Sequence, residues 1–168
     1  DFGAEAFDST FDVLRSTVPC IVLDVPHVWT GWSRRTLIAA DDILIVAAPD
    51  LANLRNTKNL IDLLRAARPN DSRPQYCLNM VGVPKRPEIK TADFAKALEF
   101  DPIASIPFEP QVFGTAANNG QMIAEVSSSH RSAETFRSLA QSLTGRTEVK
   151  RSRTSLLTPL LEKLRRKQ

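Results

Sequence analysis

The carboxylate Asp24 sits where chemistry is often done. It closes the apolar run Cys20-Ile21-Val22-Leu23 and is followed at once by Pro26, His27, Trp29, Trp32, Arg34 and Arg35. A carboxylate at the end of a buried strand has two uses. It can close a turn or cap a helix. Held rigidly by the strand, it can instead point at a Mg²⁺ ion bound with phosphates, directly or through a water. His27 has the chemistry of a general base, but no serine or cysteine nucleophile pairs with it by motif, so it reads as a switch or packing histidine. Cys20 and Cys77 lie in separate apolar runs without metal-ligand spacing and read as buried thiols in a reducing, cytoplasmic setting.

An apolar strand ending in aspartate is the mechanical basis of a Walker B element, whose usual companion is G-x-x-x-x-G-K-[ST]. None of the six glycines (Gly3, Gly31, Gly82, Gly114, Gly120 and Gly145) precedes a Lys-Ser or Lys-Thr pair, so this sequence contains no phosphate-binding loop of that kind. Either the chain is the back half of a nucleotide-binding domain, or Asp24 serves another purpose. The first residue is aspartate, not methionine, which suggests a piece of a longer protein.

The elements that must position these residues are legible as alternating strands and helices. Apolar runs at 20–23, 43–48, 75–81 and 103–106 are continuous more than alternating, as in strands covered on both faces. Helical spacing fills the intervals. Phe7, Phe11 and Leu14 mark a helix over 5–15. Leu51, Leu54, Leu60, Ile61 and Leu64 mark another over 51–68, with Asp50 as N-cap and Pro69 as stop. A third, over 91–100, takes Thr91 as cap and turns Phe94 and Leu98 inward. The last, over 132–143, buries Ala133, Phe136, Leu139, Ala140 and Leu143 and ends at Gly145. The pattern predicts an α/β fold, a three-layer parallel sheet with helices on both faces. Ligands in such sheets sit at the carboxyl ends of strands. There the sequence places Asp24, Ala48-Pro49-Asp50, Leu78-Asn79 and Ile106-Pro107-Phe108-Glu109-Pro110. Trp29 and Trp32, at i and i+3, are expected to share a helical face, laid on the sheet or offered to a partner. Lys85, Arg86 and Lys90 surround two prolines in a basic loop that is either solvated or an interaction surface.

Hydrophobic content of 42% and charged content of 24% fit a globular chain, and no apolar run is long enough to span a bilayer. Net charge is +3, yet residues 146–168 alone carry eight basic and two acidic residues, which leaves the body at −3. An acidic body argues against nonspecific DNA binding, which needs cations to meet phosphates. Three segments follow: a domain over 1–145, a basic linker over 146–155 and a short helix over 156–168. In the last, Leu156, Leu157, Leu160, Leu161 and Leu164 fall on one face, with Arg165 and Arg166 among the charges. That is a basic amphipathic helix suited to an anionic membrane surface or a partner's groove.

Four stretches, CIVLDVPHVWTGWSRR, ADDILIVAAPDLANLRNTKNLIDLL, RPQYCLNMVGVPKRPEI and SIPFEPQVFGTAANNGQMIAEV, in this order, resemble the deviant-Walker P-loop ATPases of the MinD/ParA group. More closely they resemble its pilus-assembly branch, CpaE/TadZ. The resemblance implies that Asp24 is the Walker B aspartate and that Pro26, His27, Trp29 and Trp32 belong to switch II, which faces a second subunit. It implies that Asn79 reads the adenine edge, flanked by Pro107 and Phe108. An amide suits that task because it donates and accepts side by side; otherwise Asn79 is a turn residue closing its strand. The implied whole protein binds ATP and Mg²⁺, forms a homodimer and works with pilus secretion proteins. It acts in the cytoplasm, at the inner face of the membrane or the cell pole, without specific nucleic acid. The branch point is a ParA-like partition ATPase, or a pseudo-ATPase interaction module.

In that family the phosphate-binding strand lies between the Walker B strand and the one matching 43–48. Without it the sheet has a slot with unpaired strand edges. The expectation is a chain that does not turn over ATP or hold it tightly. It should be poorly stable, pair with itself, or close the gap by joining 20–23 to 43–48.

Overall fold

The computed structural model describes residues 4–26 and 28–145. Helices α1 (Ala4–Thr17) and α2 (Gly31–Ala39) come first. Then follow β1 (Leu44–Ala47), α3 (Leu51–Ala67), β2 (Gln75–Val81), α4 (Thr91–Leu98) and β3 (Ala104–Pro107). Three helices, α5 (Pro110–Asn119), α6 (Ile123–Val126) and α7 (Arg131–Thr144), complete the described chain.

The three strands pair in parallel in the order β1-β2-β3, with Ala47 beside Leu78 and Cys77 beside Ala104. This confirms the α/β class and the three strands at 43–48, 75–81 and 103–106. Side chains alternate across a sheet, so this register puts Ala47, Tyr76 and Leu78 on one face. There they pack with Ile61 of α3 and Phe94 and Leu98 of α4 as one buried cluster. Tyr76 anchors it. Its ring stacks on Phe94 and meets Phe100 edge-on, with centroids 5.7 and 5.0 Å away, and its hydroxyl donates to the Phe100 carbonyl at 2.9 Å. Val46, Cys77 and Ala104 face the other way. Helix α7 packs against β3, but Val46 on β1 is left 58% exposed.

The segment 20–23 corrects the sequence reading. It forms no strand, Val22 is 90% exposed, and Cys20 is exposed, not buried. It does not pair with β1, so the sheet has not closed by reorganising. Among the described residues β1 has one strand neighbour, and its other edge is open. An apolar run becomes a strand only when another strand can satisfy its amides and carbonyls, and no such partner stands beside 20–23.

Four smaller corrections concern helix ends and faces, the first being Leu51 on α3, which is 73% exposed. Thr30 and Ser33 form a capping box that starts α2 at Gly31, so Trp29 lies outside the helix and the two tryptophans share no helical face. Thr91 is the first residue of α4, not its cap, which is Lys90. On α7, Ala133 is buried as expected, but Phe136 and Ala140 are exposed and Leu139 and Leu143 half-buried. Asp50 does cap α3, its Oδ1 accepting from the Asn53 N–H at 2.8 Å. Helix α5 was not read from the sequence, although Pro110 at its first turn and Gly120 in a left-handed backbone at its end are the usual start and stop.

Candidate functional site at the carboxyl edge of the sheet

The carboxyl ends of β1, β2 and β3 converge, and backbone hydrogen bonds lock their loops together. The Phe108 N–H donates to the Val81 carbonyl at 2.8 Å, tying the loop after β3 to the end of β2. The Ile89 N–H donates to the Pro49 carbonyl at 2.8 Å, tying the loop after β2 to the end of β1. Asn79, Pro107 and Phe108 are therefore neighbours on one edge, each half-buried. Asp50 joins them from β1. The Asn53 backbone N–H, helped by the Asn53 side chain, holds its carboxyl below the ordinary value.

The chain around Asn79 is unusual. The ladder register slips between Leu78 and Val81, and Met80 (φ 56°), Gly82 (φ 84°) and Lys85 (φ 62°) take left-handed backbone. Two of these have a β-carbon, which disfavours that conformation. Glu88 holds the loop. Its carboxylate accepts from the Gly82 N–H at 2.9 Å, the Val83 N–H at 3.0 Å and the Arg86 guanidinium at 2.8 Å. Arg86 reaches on to the Met80 carbonyl. The Gly82 N–H, then Arg86, keep the Glu88 carboxyl below its usual range. Arg86 is thus neither a solvated cation nor a free interaction surface; Lys85 and Lys90 remain exposed. Asn79 Oδ1 accepts from the Met80 N–H at 2.8 Å.

On the far side, Glu109 fastens the loop after β3 to α7. The Ser132 hydroxyl, fully buried, donates to Glu109 Oε2 at 2.7 Å. His130 caps the helix, its Nδ1 accepting from the Ser132 N–H, while its Nε2 lies 3.6 Å from the same carboxylate oxygen. Serine, histidine and glutamate come together here as a helix anchor, since the hydroxyl meets the carboxylate and is closed to solvent.

The remaining predicted residues are placed differently. Asp24 and Pro26 are exposed on the unpaired segment, and no strand carries Asp24 to the edge occupied by Asn79. Trp29 is 50% exposed, whereas Trp32 is half-buried with its ring 5.2 Å from that of Phe7. His27 lies outside the described residues, as do Leu156, Leu157, Leu160, Leu161, Leu164, Arg165 and Arg166. Two surface cavities of about 390 and 310 Å³ lie at the opposite, amino end of the sheet. One is lined by Ile38, Asp41, Arg68 and Asp71, the other by Arg73, Gln75, Tyr76 and Phe100.

No protein-family profile matches the chain, and no curated protein matches it. Solved structures do. The Pyrococcus furiosus cell division ATPase MinD superposes with a TM-score of 0.71 at 18% identity, over 86% of this chain and 60% of that one. The ParA family ATPase from Chlorobium tepidum TLS gives 0.68 at 19% identity, over 84% and 56%. The MinD cell division protein of Aquifex aeolicus gives 0.67 at 20% identity, over 86% and 62%. The fold is that of the MinD/ParA ATPases. At these identities the likeness is one of fold, and the chain spans about three fifths of each solved chain.

Within a MinD/ParA-like fold the residues present can be tested against ATP and Mg²⁺ in two parts. At the base end an amide that can donate and accept, Asn79, lies on β2 beside the β3 end that carries Pro107 and Phe108, the two tied by the bond from the Phe108 N–H to the Val81 carbonyl. The phosphate end does not fit. Its sole candidate ligand is the exposed Asp24, the sequence supplies no glycine-rich cradle, and no metal-binding cluster occurs among the described residues.

Proposed function

We propose that this chain is the base-recognition half and docking body of a CpaE/TadZ-like, ATP-binding localisation protein that positions a pilus secretion machine. The observation that carries the reading is the carboxyl edge itself. An edge tied together by backbone hydrogen bonds, Asn79 with Pro107 and Phe108, stands next to a β1 whose outer edge is open and whose Val46 is uncovered. Parallel strands are ordinarily buried on both faces and both edges. A strand bearing a phosphate-binding loop, set against β1, would bring the missing half of the site to the base edge and would place Asp24 beyond it. Asn79 holds the base, Asp24 serves the Mg²⁺ and phosphates once that strand is present, and Trp29 belongs to a homodimer interface. In this reading residues 156–168 attach the protein to an anionic membrane surface or to a pilus secretion protein.

The test is a fluorescent fusion of the whole protein in pilus-bearing cells. Polar foci and pili should both be lost on Asn79→Ala and on Asp24→Asn. With Leu160→Asp and Leu161→Asp together, ATP binding should survive while localisation fails. Foci and pili that persist in all three variants would refute the proposal.

A further inference from the structure

The apolar face of α7 is longer than the cover it receives. In its first turn Ser132 and Ala133 are buried, Ala133 packing with Ala116 of α5 and Ile123 of α6. Phe136, Leu139, Ala140 and Leu143 continue that face at helical spacing. Phe136 meets the Phe113 ring edge-on, with centroids 6.2 Å apart, yet is 38% exposed. Ala140 is exposed, and Leu139 and Leu143 are half-buried. A helical stripe of this kind is ordinarily closed by a neighbour. The described residues leave its second half uncovered.

A second apolar stripe without a partner follows on the same chain. Leu156, Leu157, Leu160, Leu161 and Leu164 lie outside the described residues and read as one helical face. We infer that residues 156–168 fold back on α7 and seat these leucines across Phe136, Leu139, Ala140 and Leu143. The stripes at 136–143 and 156–164 match in length, each running about 10–12 Å along a helix. Helix α7 ends at Gly145 in left-handed backbone, φ 63°, where a chain readily turns away from its helix. Packed helix axes stand about 8–10 Å apart, and the linker 146–155 can span about 33 Å.

Tethering decides between this segment and a second copy of the chain. A short linker holds the tail at about millimolar effective concentration, roughly a thousandfold above other chains in a micromolar solution. Charge favours the same return, since the tail is strongly basic and the body carries −3. The leucines cannot lie on α7 and in a membrane at once, so the seat withholds the helix until an anionic surface competes for it. The seat stands on the two stripes; the competition rests on the attachment reading above.

Hydrogen exchange and vesicle binding of the whole 168-residue chain test both parts. Amides of residues 136–143 should exchange about tenfold more slowly in wild type than with Leu160→Asp and Leu161→Asp together. Exchange in α4 should be equal in the two proteins, which reports that the variant stays folded. A tail docked to that extent binds a membrane about tenfold more weakly than a free one. Leu143→Gln, made on the seat and neutral in charge, should therefore tighten binding to phosphatidylglycerol vesicles by about threefold. Equal exchange over 136–143 with and without the tail leucines would overturn the inference. Protection that disappears on dilution to about 1 μM would give the seat to a second copy and overturn it as well. With the exchange contrast present, vesicle binding unmoved by Leu143→Gln would overturn the competition and support the seat. Vesicle binding absent from wild type and Leu143→Gln alike would instead overturn the attachment reading, with the seat still supported.

Discussion

Replacing Ser132 by alanine tests how the loop after β3 is held. The Ser132 hydroxyl is fully buried and its partner is the Glu109 carboxylate at 2.7 Å, so the variant loses a charge-assisted bond that water cannot restore from the serine side. Such bonds contribute about 1.5–3 kcal/mol. The Glu109 side chain is 32% exposed, so water can reach it and compensate partly, which favours the lower end, about 1.5–2 kcal/mol. For a chain of this size that is a fall in melting temperature of about 3–8 °C. Glu109→Ala should cost a similar amount because it leaves a buried hydroxyl without an acceptor. The pair should not add: a double-mutant cycle in guanidinium should return a coupling of about 1–2 kcal/mol. A coupling below about 0.3 kcal/mol would show that the contact anchors nothing.

Two further outcomes follow from the core and from the thiols. Tyr76 is the one tyrosine in the chain, and burial pushes its hydroxyl up to about 12 from an ordinary 10. A raised tyrosine favours the fold below the unfolded value and loses that contribution as pH climbs through the folded one. Absorbance at about 295 nm should therefore show phenolate appearing late, between pH 10 and 12, together with loss of helical circular dichroism; early reversible titration near pH 10 would contradict the burial. With a thiol reagent at neutral pH, exposed Cys20 should react at once. Buried Cys77, its thiol pushed up by desolvation, should wait for denaturant. Two fast thiols would mean that the face of β2 carrying Cys77 is open.

How much of this was legible in the sequence depends on whether the deciding physics was local. Helix α3 was readable because Asp50, its apolar stripe and Pro69 are all written within one segment. The strands at β1, β2 and β3 were readable because continuous apolar runs report burial. The run at 20–23 carries the same signal, yet pairing is a property of the neighbours, and no strand lies beside it among the described residues. Trp29 and Trp32 looked like one helical face because their spacing fits, but the capping box at Thr30 and Ser33 decides where the turn begins. Asn79, Pro107 and Phe108 were found as residue types at strand ends. Their supports were not. Glu109 meets Ser132 across 23 positions, and Glu88 folds back onto Gly82 through a backbone that no propensity favours.

The order β1-β2-β3 also sets how the chain can assemble in time. Each strand pairs with the next in sequence: Leu44 with Gln75, and Cys77 with Ala104. Both pairings close loops of similar, modest length, so neither waits on a distant part of the chain. During synthesis β1 and β2 can join across α3 as soon as both have emerged, and β3 can add afterwards. The outer edges of β1 and β3 have no strand partner among the described residues. A second molecule pairing at either edge would add a concentration-dependent step, unlike the intramolecular joining of β1, β2 and β3.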